Sequence, residues 1–268
     1  MLKPRIITGI IFGVIVLAAI YGGEISSILL FGLVVLFSSF ELARMLRRNV
    51  QTPIMMFTMV MGFLPFILSM FYPAKGTLLI VAIIVSCCIM IGLASMMIMN
   101  RGASLLEKLS PLTSLLYLGI PFYLLRVVLL KPPFQWELIL CMILLIWSSD
   151  TFAYIVGSLI GKNKLYYKVS PGKTWEGFLG AGILTILVAV GLKFIFGEFP
   201  LLFYIFLGFT VWLLGGIGDL FESYLKRHFQ IKDSGTFLPG HGGFLDRFDS
   251  FIFVLPFVCL LMIFFEVL

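Results

Sequence analysis

The segment LLIVAIIVSCCIMIGLASMMIM, from Leu78 to Met99, contains 22 residues and no charged side chain. A helix of about 20 apolar residues is long enough to cross the hydrocarbon core of a bilayer. Similar runs recur along the 268 residues, of which 61% are hydrophobic and 12% charged, whereas about a quarter of a soluble domain is charged. A membrane β-barrel would need alternating polar and apolar residues, which these runs lack. The sequence therefore predicts an all-α polytopic membrane protein and excludes a soluble globule or a disordered chain.

Nine transmembrane segments are predicted by dividing the chain at charges, Gly and Pro clusters and aromatic ends. Their bounds are Ile6 to Ile20, Ile25 to Ala43, Ile54 to Tyr72, Leu78 to Met99, Leu109 to Leu130, Trp136 to Ser158, Phe178 to Phe196, Leu201 to Leu220 and Phe251 to Leu268. Two connecting stretches are longer than the others, Gly161 to Gly177 and Glu222 to Ser250. Residues 1–268 are expected to form a single integral membrane domain, with N-terminal helices in 1–130 and C-terminal helices carrying the polar motifs in 131–268.

The basic residues predict the orientation of these spans, because Lys and Arg concentrate in cytoplasmic loops. With the N-terminus inside, 15 of the 19 Lys and Arg residues are cytoplasmic. They are Lys3, Arg5, Arg44, Arg47, Arg48, Arg101, Lys108, Lys162, Lys164, Lys168, Lys173, Lys226, Arg227, Lys232 and Arg247. We therefore expect a multi-pass protein of the cytoplasmic membrane, with the N-terminus and both longer stretches inside and the C-terminus outside. The net charge of +6 is expected to attract anionic lipid, and no nucleic acid partner is predicted.

Two aspartates lie at membrane depth or at its edge. Asp150, in WSSDTFAY, is inside the sixth span, where an ionisable group is costly and usually lines a cavity or forms a pair. The alternative is a structural pair with Arg126 or a nearby lysine. Asp219 ends the eighth span and shares one helical face with Ser223 and Lys226. The three glycines before Asp219 leave room for a phosphate or merely for a neighbouring helix, and glycines alone favour the packing explanation.

Asp246 and Asp249, in DRFD, are three residues apart, so a helix beginning there would point both carboxylates the same way. Paired oxygen ligands of this kind suit Mg²⁺ bound together with a substrate phosphate. The alternative is that an aspartate caps the helix N-terminus, which explains one of the two better than both.

Basic and glycine residues surround these acids. Lys226, Arg227 and Lys232 precede PGHGG, and Arg247 follows it. The glycines on either side of His241, including Gly242 and Gly243, permit a loop whose backbone N–H groups turn inward on an anion. The other long stretch contributes Lys168 and Lys173. A topology signal alone would be basic throughout, whereas here basic, acidic and glycine residues alternate.

The stretch SYLKRHFQIKDSGTFLPGHGGFLDRFD, from Ser223 to Asp249, resembles the signature of the phosphatidate cytidylyltransferases, or CDP-diacylglycerol synthases. SDTFAY at 149–154 and SPGKTWEG at 170–177 resemble that family as well. The resemblance implies a nucleotidyltransferase of phospholipid biosynthesis. Such an enzyme condenses CTP with phosphatidic acid in the membrane to give CDP-diacylglycerol and pyrophosphate. It also implies a divalent metal, expected to be Mg²⁺, with a second metal ion left open, and a homodimer is left open as the assembly.

The residue roles expected on this basis follow from the charge of the reactants. Asp219, Asp246 and Asp249 are the expected Mg²⁺ ligands, and the catalytic set is Asp246, Lys226, Arg227 and Asp219. The expected substrate-binding residues are Lys173, Ser223, Lys232, His241, Gly242, Gly243, Arg247 and Asp150. Phosphatidate is already an anion, so attack on the α-phosphorus of CTP needs charge neutralisation and in-line positioning more than a general base.

Two other functions are weighed. A CTP-dependent kinase acting on a polyprenol or phytol would also use a nucleotide and a membrane substrate, but it would need a base for a neutral hydroxyl group. The non-enzymatic alternative is a cation transporter, which could use carboxylates at the bilayer midplane. Its acids should be scattered at lipid depth, whereas the densest acidic cluster here lies at the predicted cytoplasmic boundary beside basic residues.

Overall fold

The computed structural model describes residues 2–46, 52–237, 240 and 242–267. Ten helices and one β hairpin make up this part of the chain. The helices are α1 Leu2–Tyr21, α2 Glu24–Leu46, α3 Thr52–Phe71, α4 Gly76–Ile98, α5 Ala103–Lys108, α6 Ser110–Leu129, α7 Trp136–Ile160, α8 Trp175–Phe196, α9 Leu201–His228 and α10 Leu245–Phe264. The antiparallel strands β1 Lys164–Tyr166 and β2 Ser170–Thr174 lie between α7 and α8.

Eight of the described helices are long and apolar enough to cross a membrane, and Thr8–Tyr21 within α1 is a shorter apolar helix. The all-α polytopic fold predicted from composition is confirmed. These nine helices coincide with the nine predicted segments. The β hairpin was not predicted, because its strands have three and five residues and no apolar alternation.

Two span boundaries differ from the prediction. Helix α9 continues past Leu220 to His228, and an ion pair between Glu222 and Lys226, one turn apart, supports this last part. Helix α10 begins at Leu245 rather than Phe251, because carboxylates satisfy the backbone N–H groups at its start. The stretch from Glu222 to Ser250, which was expected to connect two spans, is therefore helical at both of its ends.

Helices α6 and α10 form the centre of the bundle. In each of them, 67% of the most apolar stretch is buried inside the protein. Helix α9 crosses α10 at Gly218, where a Cβ atom would lie 2.7 Å from Cβ of Phe253 and 2.9 Å from the carbonyl oxygen of Asp249. A Cβ atom on Gly216 would lie 2.7 Å from the ring of Phe178. These contacts favour helix packing over phosphate binding as the reason for the glycines before Asp219.

Helices α7 and α8 cross at an equally short distance. A Cβ atom on Gly177 would lie 2.6 Å from the carbonyl oxygen of Ala153 and 2.9 Å from Cα of Gly157. The side chain of Thr174 accepts a hydrogen bond from Gly177 N at 3.2 Å and so caps α8. This crossing fixes the β hairpin over one end of the bundle, between α7 and α8.

Candidate active site

A cavity of about 360 Å³ lies between α7, α8, α9 and the β hairpin. Three charged side chains line it, Asp150 from α7, Lys173 from β2 and Asp219 from α9. The other lining residues are Ser149, Ala153, Tyr154, Leu165, Ser170, Gly172, Thr174, Phe178, Ala181, Trp212 and Gly216. We call this space the Asp219 cavity. It has charge at its base and three aromatic rings in its walls, as a pocket for an amphipathic ligand requires.

The carboxylate of Asp219 forms an ion pair with Lys173, with 2.5 Å between Oδ2 and Nζ. Ser223 Oγ donates a weak hydrogen bond of 3.4 Å to Oδ1. About a third of each charged side chain is exposed, 28% for Lys173 and 32% for Asp219. Water therefore screens the pair, and exchanging Lys173 from Asp219 to an incoming anion costs little.

Asp150 lies within electrostatic range of Asp219, Lys173 and Arg247. The alternative partner, Arg126, is instead 3.7 Å from Glu24, between its Nη2 atom and Oε1. Asp150 is thus a cavity residue, and pairing with Arg126 is wrong. The other predicted partner was a nearby lysine, and Asp150 does interact electrostatically with Lys173.

The β hairpin holds Lys173 in place through Glu176, at the start of α8. The Glu176 carboxylate accepts hydrogen bonds from the backbone N–H groups of Lys162 and Asn163, both at 3.1 Å, and from Nδ2 of Asn163 at 2.7 Å. These bonds tie the chain leaving α7 to the helix that follows the hairpin. The motif at 170–177 therefore supplies both the cavity lysine and the acid that anchors its strand.

Lys226 and Asp246 form a second, buried cluster. Lys226 Nζ donates to Asp246 Oδ1 at 2.8 Å and also pairs with Glu222, and the three side chains are 12%, 5% and 0% exposed. Asp246 Oδ2 accepts from Gly243 N at 2.7 Å and from Ser234 N at 2.9 Å. Asp246 thus joins the loop before α10 to the end of α9, and Lys226 is the counter-ion of two acids.

Glu41, on α2, completes this cluster and was not singled out from the sequence. Its carboxylate accepts hydrogen bonds from Phe244 N at 3.1 Å, Leu245 N at 2.8 Å and Ser234 Oγ at 3.0 Å. A Cβ atom on Gly243 would lie 2.3 Å from both carboxylate oxygens. The backbone amides of the loop before α10 do point at anions, as the glycines of this loop suggested. These anions are the carboxylates of Glu41 and Asp246.

Gly242 adopts a positive φ of 81°, and a Cβ atom there would lie 2.3 Å from Asp246 Oδ2. Both predicted glycines are therefore needed for close approach to protein carboxylates. His241, the third residue of this predicted group, lies outside the described residues.

The remaining basic residues of the predicted site are not brought together. Arg227 Nε donates to the carbonyl oxygen of Val169, in the hairpin turn, at 3.2 Å. Lys232 lines a different cavity of about 380 Å³ together with Arg44. Arg247 lines a small pocket together with Trp147 and is in electrostatic range of Asp150. These cations line different cavities in the structure, and a shared role for them at the substrate phosphates stays a prediction.

The predicted Mg²⁺ ligands are likewise divided. Asp219 faces the cavity, and Asp249, which is 8% exposed, lies within electrostatic range of Asp219 and Asp150. Both oxygens of Asp246 accept hydrogen bonds. Across the ranges that the structure describes, no three His, Cys, Asp or Glu side chains are grouped as a metal site. Mg²⁺ that also binds substrate phosphates needs only one or two protein carboxylates, a requirement that Asp219 and Asp249 fit.

The fold and this cavity together define the class of protein. It is a polytopic helical membrane protein whose spans enclose a cavity lined by carboxylates and a lysine. The model of the cytidylyltransferase family matches residues 3–265. The chain belongs to the cytidylyltransferase family. The match includes every helix described above.

Curated relatives are similar to this chain over a shorter stretch. A phosphatidate cytidylyltransferase of Staphylococcus haemolyticus strain JCSC1435 is 51% identical over 127 residues, which are 47% of this chain and 48% of the relative. The phosphatidate cytidylyltransferase of Bacillus subtilis strain 168 is 50% identical over 123 residues, 45% of each chain. That of Staphylococcus aureus strain COL is 49% identical over 127 residues, again 47% of this chain and 48% of the relative. The matched stretch thus spans about half the length of the curated relatives.

Proposed function

We propose that this protein is a phosphatidate cytidylyltransferase, which converts CTP and phosphatidic acid into CDP-diacylglycerol and pyrophosphate. Family membership and the names of the relatives support this assignment. The observation that carries it is the ion pair of Lys173 and Asp219, with about a third of each side chain exposed, in a cavity between membrane helices. A lipid phosphate can reach such a cavity while its acyl chains remain in the bilayer.

The walls of the cavity suit a lipid substrate. The indole Nε1 of Trp212 donates to the carbonyl oxygen of Phe178 at 2.7 Å, which fixes the two rings 4.8 Å apart. Tyr154, on the same cavity, is 76% exposed, and the neighbouring apolar residues Leu159 and Leu179 are 78% and 53% exposed. In a membrane these exposed apolar residues contact acyl chains. The cavity therefore connects a charged base with the lipid-facing surface.

The reaction requires that negative charge be neutralised. The phosphatidate oxygen attacks the α-phosphorus of CTP, a new P–O bond forms, and the bond to pyrophosphate breaks, so that its electron pair leaves with the pyrophosphate. We infer that Lys173 exchanges Asp219 for a substrate phosphate and holds the nucleophile and the nucleotide together. Such preorganised charge in a water-poor cavity lowers the barrier without a general base.

The proposed cofactor is Mg²⁺, held by Asp219 and Asp249. When bound, it supplies positive charge to the triphosphate and to the departing pyrophosphate. We assign Asp246 to the positioning of the loop before α10, because its oxygens are occupied by three hydrogen-bond donors. A second metal ion and a homodimer remain predictions.

We propose that the β hairpin faces the cytoplasm, as the distribution of basic residues predicts. In a cysteine-free background, Lys164→Cys in the hairpin should resist a membrane-impermeant thiol reagent applied to intact cells. Lys75→Cys, between α3 and α4 and also exposed, should react. Labelling of Lys164→Cys from outside, with Lys75→Cys protected, would show the opposite orientation and contradict the proposal.

The substrate requirement tests the proposal with purified protein in nanodiscs. CTP should release pyrophosphate when phosphatidic acid is present and should not do so with diacylglycerol, because only phosphatidic acid carries the nucleophilic phosphate. Formation of CDP from CTP and diacylglycerol, without release of pyrophosphate, would instead indicate a lipid kinase, because a kinase transfers the γ-phosphate.

A further inference from the structure

A second cavity, of about 550 Å³, lies on the other side of the β hairpin and is larger than the Asp219 cavity. Its charged lining consists of Arg101, which follows α4, Lys168 from the hairpin turn, and Arg227 and His228 from the end of α9. We call it the basic cavity. Asp219 and Arg227 are eight residues apart on one helix, about 12 Å along its axis. The two cavities are thus separate spaces that share α9 and the hairpin.

The positive charge of the basic cavity is largely uncompensated. Within the described ranges, no carboxylate is within ion-pair distance of Arg101, Lys168 or Arg227. The guanidinium of Arg227 donates only to carbonyl oxygens, of Val169 at 3.2 Å and Ile231 at 3.4 Å. An acid outside the lining, Glu107, has its Oε2 atom 3.9 Å from Nε2 of His228. Several like charges around one concave space make it a favourable site for an anion.

The segments that carry these cations are held together by hydrogen bonds. Arg101 N donates to the carbonyl oxygen of Met96 at 3.0 Å, which closes the turn after α4. Tyr166, in β1, donates from its hydroxyl group to the carbonyl oxygen of Met97 at 3.3 Å. The hairpin turn and the end of α4 are therefore fixed relative to each other, and the bond from Arg227 to Val169 adds α9. Such preorganisation favours binding because less freedom is lost.

We propose that the basic cavity is a binding site for a phosphate group, separate from the Asp219 cavity. A phosphate matches it because guanidinium groups bind phosphate oxygens through charge-assisted, paired hydrogen bonds. The volume is within the usual range for a small-molecule site. The group can come from a free polyphosphate or from the headgroup of an anionic lipid. This site involves binding alone, so its test does not depend on the proposed reaction.

The probe is inorganic pyrophosphate, titrated by calorimetry into the purified protein in nanodiscs of neutral lipid. EDTA is present, so that metal-dependent binding in the Asp219 cavity does not contribute. The test variant is Arg101→Gln combined with Lys168→Gln. The matched control, Lys162→Gln combined with Lys164→Gln, removes two exposed charges that do not line the basic cavity. Thermal unfolding of each variant checks that it is folded.

We expect the wild type to bind pyrophosphate and the test variant to bind it at least about tenfold more weakly, since charge-assisted hydrogen bonds are lost. The matched control should stay within about twofold of the wild type. No binding at millimolar pyrophosphate, or equal weakening by the charge-matched control, would each overturn the proposal.

Nanodiscs containing phosphatidic acid distinguish the two sources of the phosphate. If the headgroup occupies the basic cavity, the anionic lipid raises the apparent Kd of pyrophosphate in the wild type and leaves that of the test variant unchanged. If the ligand is a free polyphosphate, the apparent Kd in the wild type is the same with both lipids. Either result, obtained with the weakened test variant, supports a phosphate site in this cavity.

Discussion

Asp219→Asn is expected to reduce turnover of CTP by at least about a hundredfold. The substitution keeps the size of the side chain but removes the charge that pairs with Lys173 and that is proposed to bind Mg²⁺. The carboxylate is one-third exposed, so the protein should remain folded, with an unfolding temperature close to that of the parent. The measurement is pyrophosphate release from CTP and phosphatidic acid in nanodiscs.

Glu198→Gln is the control for this experiment, because it neutralises a carboxylate in the loop between α8 and α9, outside the Asp219 cavity. It should retain nearly the activity of the parent. An Asp219→Asn variant within about tenfold of the parent, equivalent to about 1.4 kcal/mol on the barrier, would show that Asp219 is not the proposed ligand.

Asp246→Asn is expected to remove activity for a different reason and to destabilise the protein as well. An amide at this position leaves Lys226 with Glu222 as its remaining acid and presents an NH₂ group where donors now converge. Breaking a buried ion pair costs about 3–5 kcal/mol. The unfolding temperature should therefore fall clearly below that of Asp219→Asn.

Thermal unfolding and pyrophosphate release, measured on the same Asp246→Asn sample, separate the two roles proposed for these aspartates. Loss of activity with an unchanged unfolding temperature would argue for direct ligation of the metal by Asp246. It would contradict the positioning role that its hydrogen bonds indicate.

The sequence predicted those features that depend on local pattern. Runs of about 20 apolar residues define helices whatever the tertiary structure, because a lipid environment leaves the backbone no other partner. Asp150 was recognised as a cavity residue because an ionisable group at membrane depth needs a partner or water. Helix α10 begins at Leu245, so Asp246 and Asp249 do lie in its first turns, as the interpretation of their spacing assumed, although the predicted span began only at Phe251.

Contacts between residues far apart in the sequence could not be predicted from local patterns. Glu41 meets Ser234 and Leu245 across 193 and 204 residues of sequence, so no local spacing could show that it satisfies the loop amides. The signal that was available is the one used for Asp150, a single acid inside an apolar run. The separation of Arg227 from Lys226 follows from the helix, which points neighbouring residues about 100° apart. Proximity in sequence therefore did not show that Arg227 and Lys232 line different cavities.

The most direct test of the proposed reaction is the fate of the phosphorus atoms of CTP. Purified protein in nanodiscs is incubated with phosphatidic acid and with CTP labelled either at the α-phosphorus or at the γ-phosphorus. Because the lipid phosphate attacks the α-phosphorus and pyrophosphate leaves, the α label should enter the lipid and the γ label should appear in pyrophosphate. Lipid labelled from the γ position, with none from the α position, would contradict the cytidylyltransferase assignment.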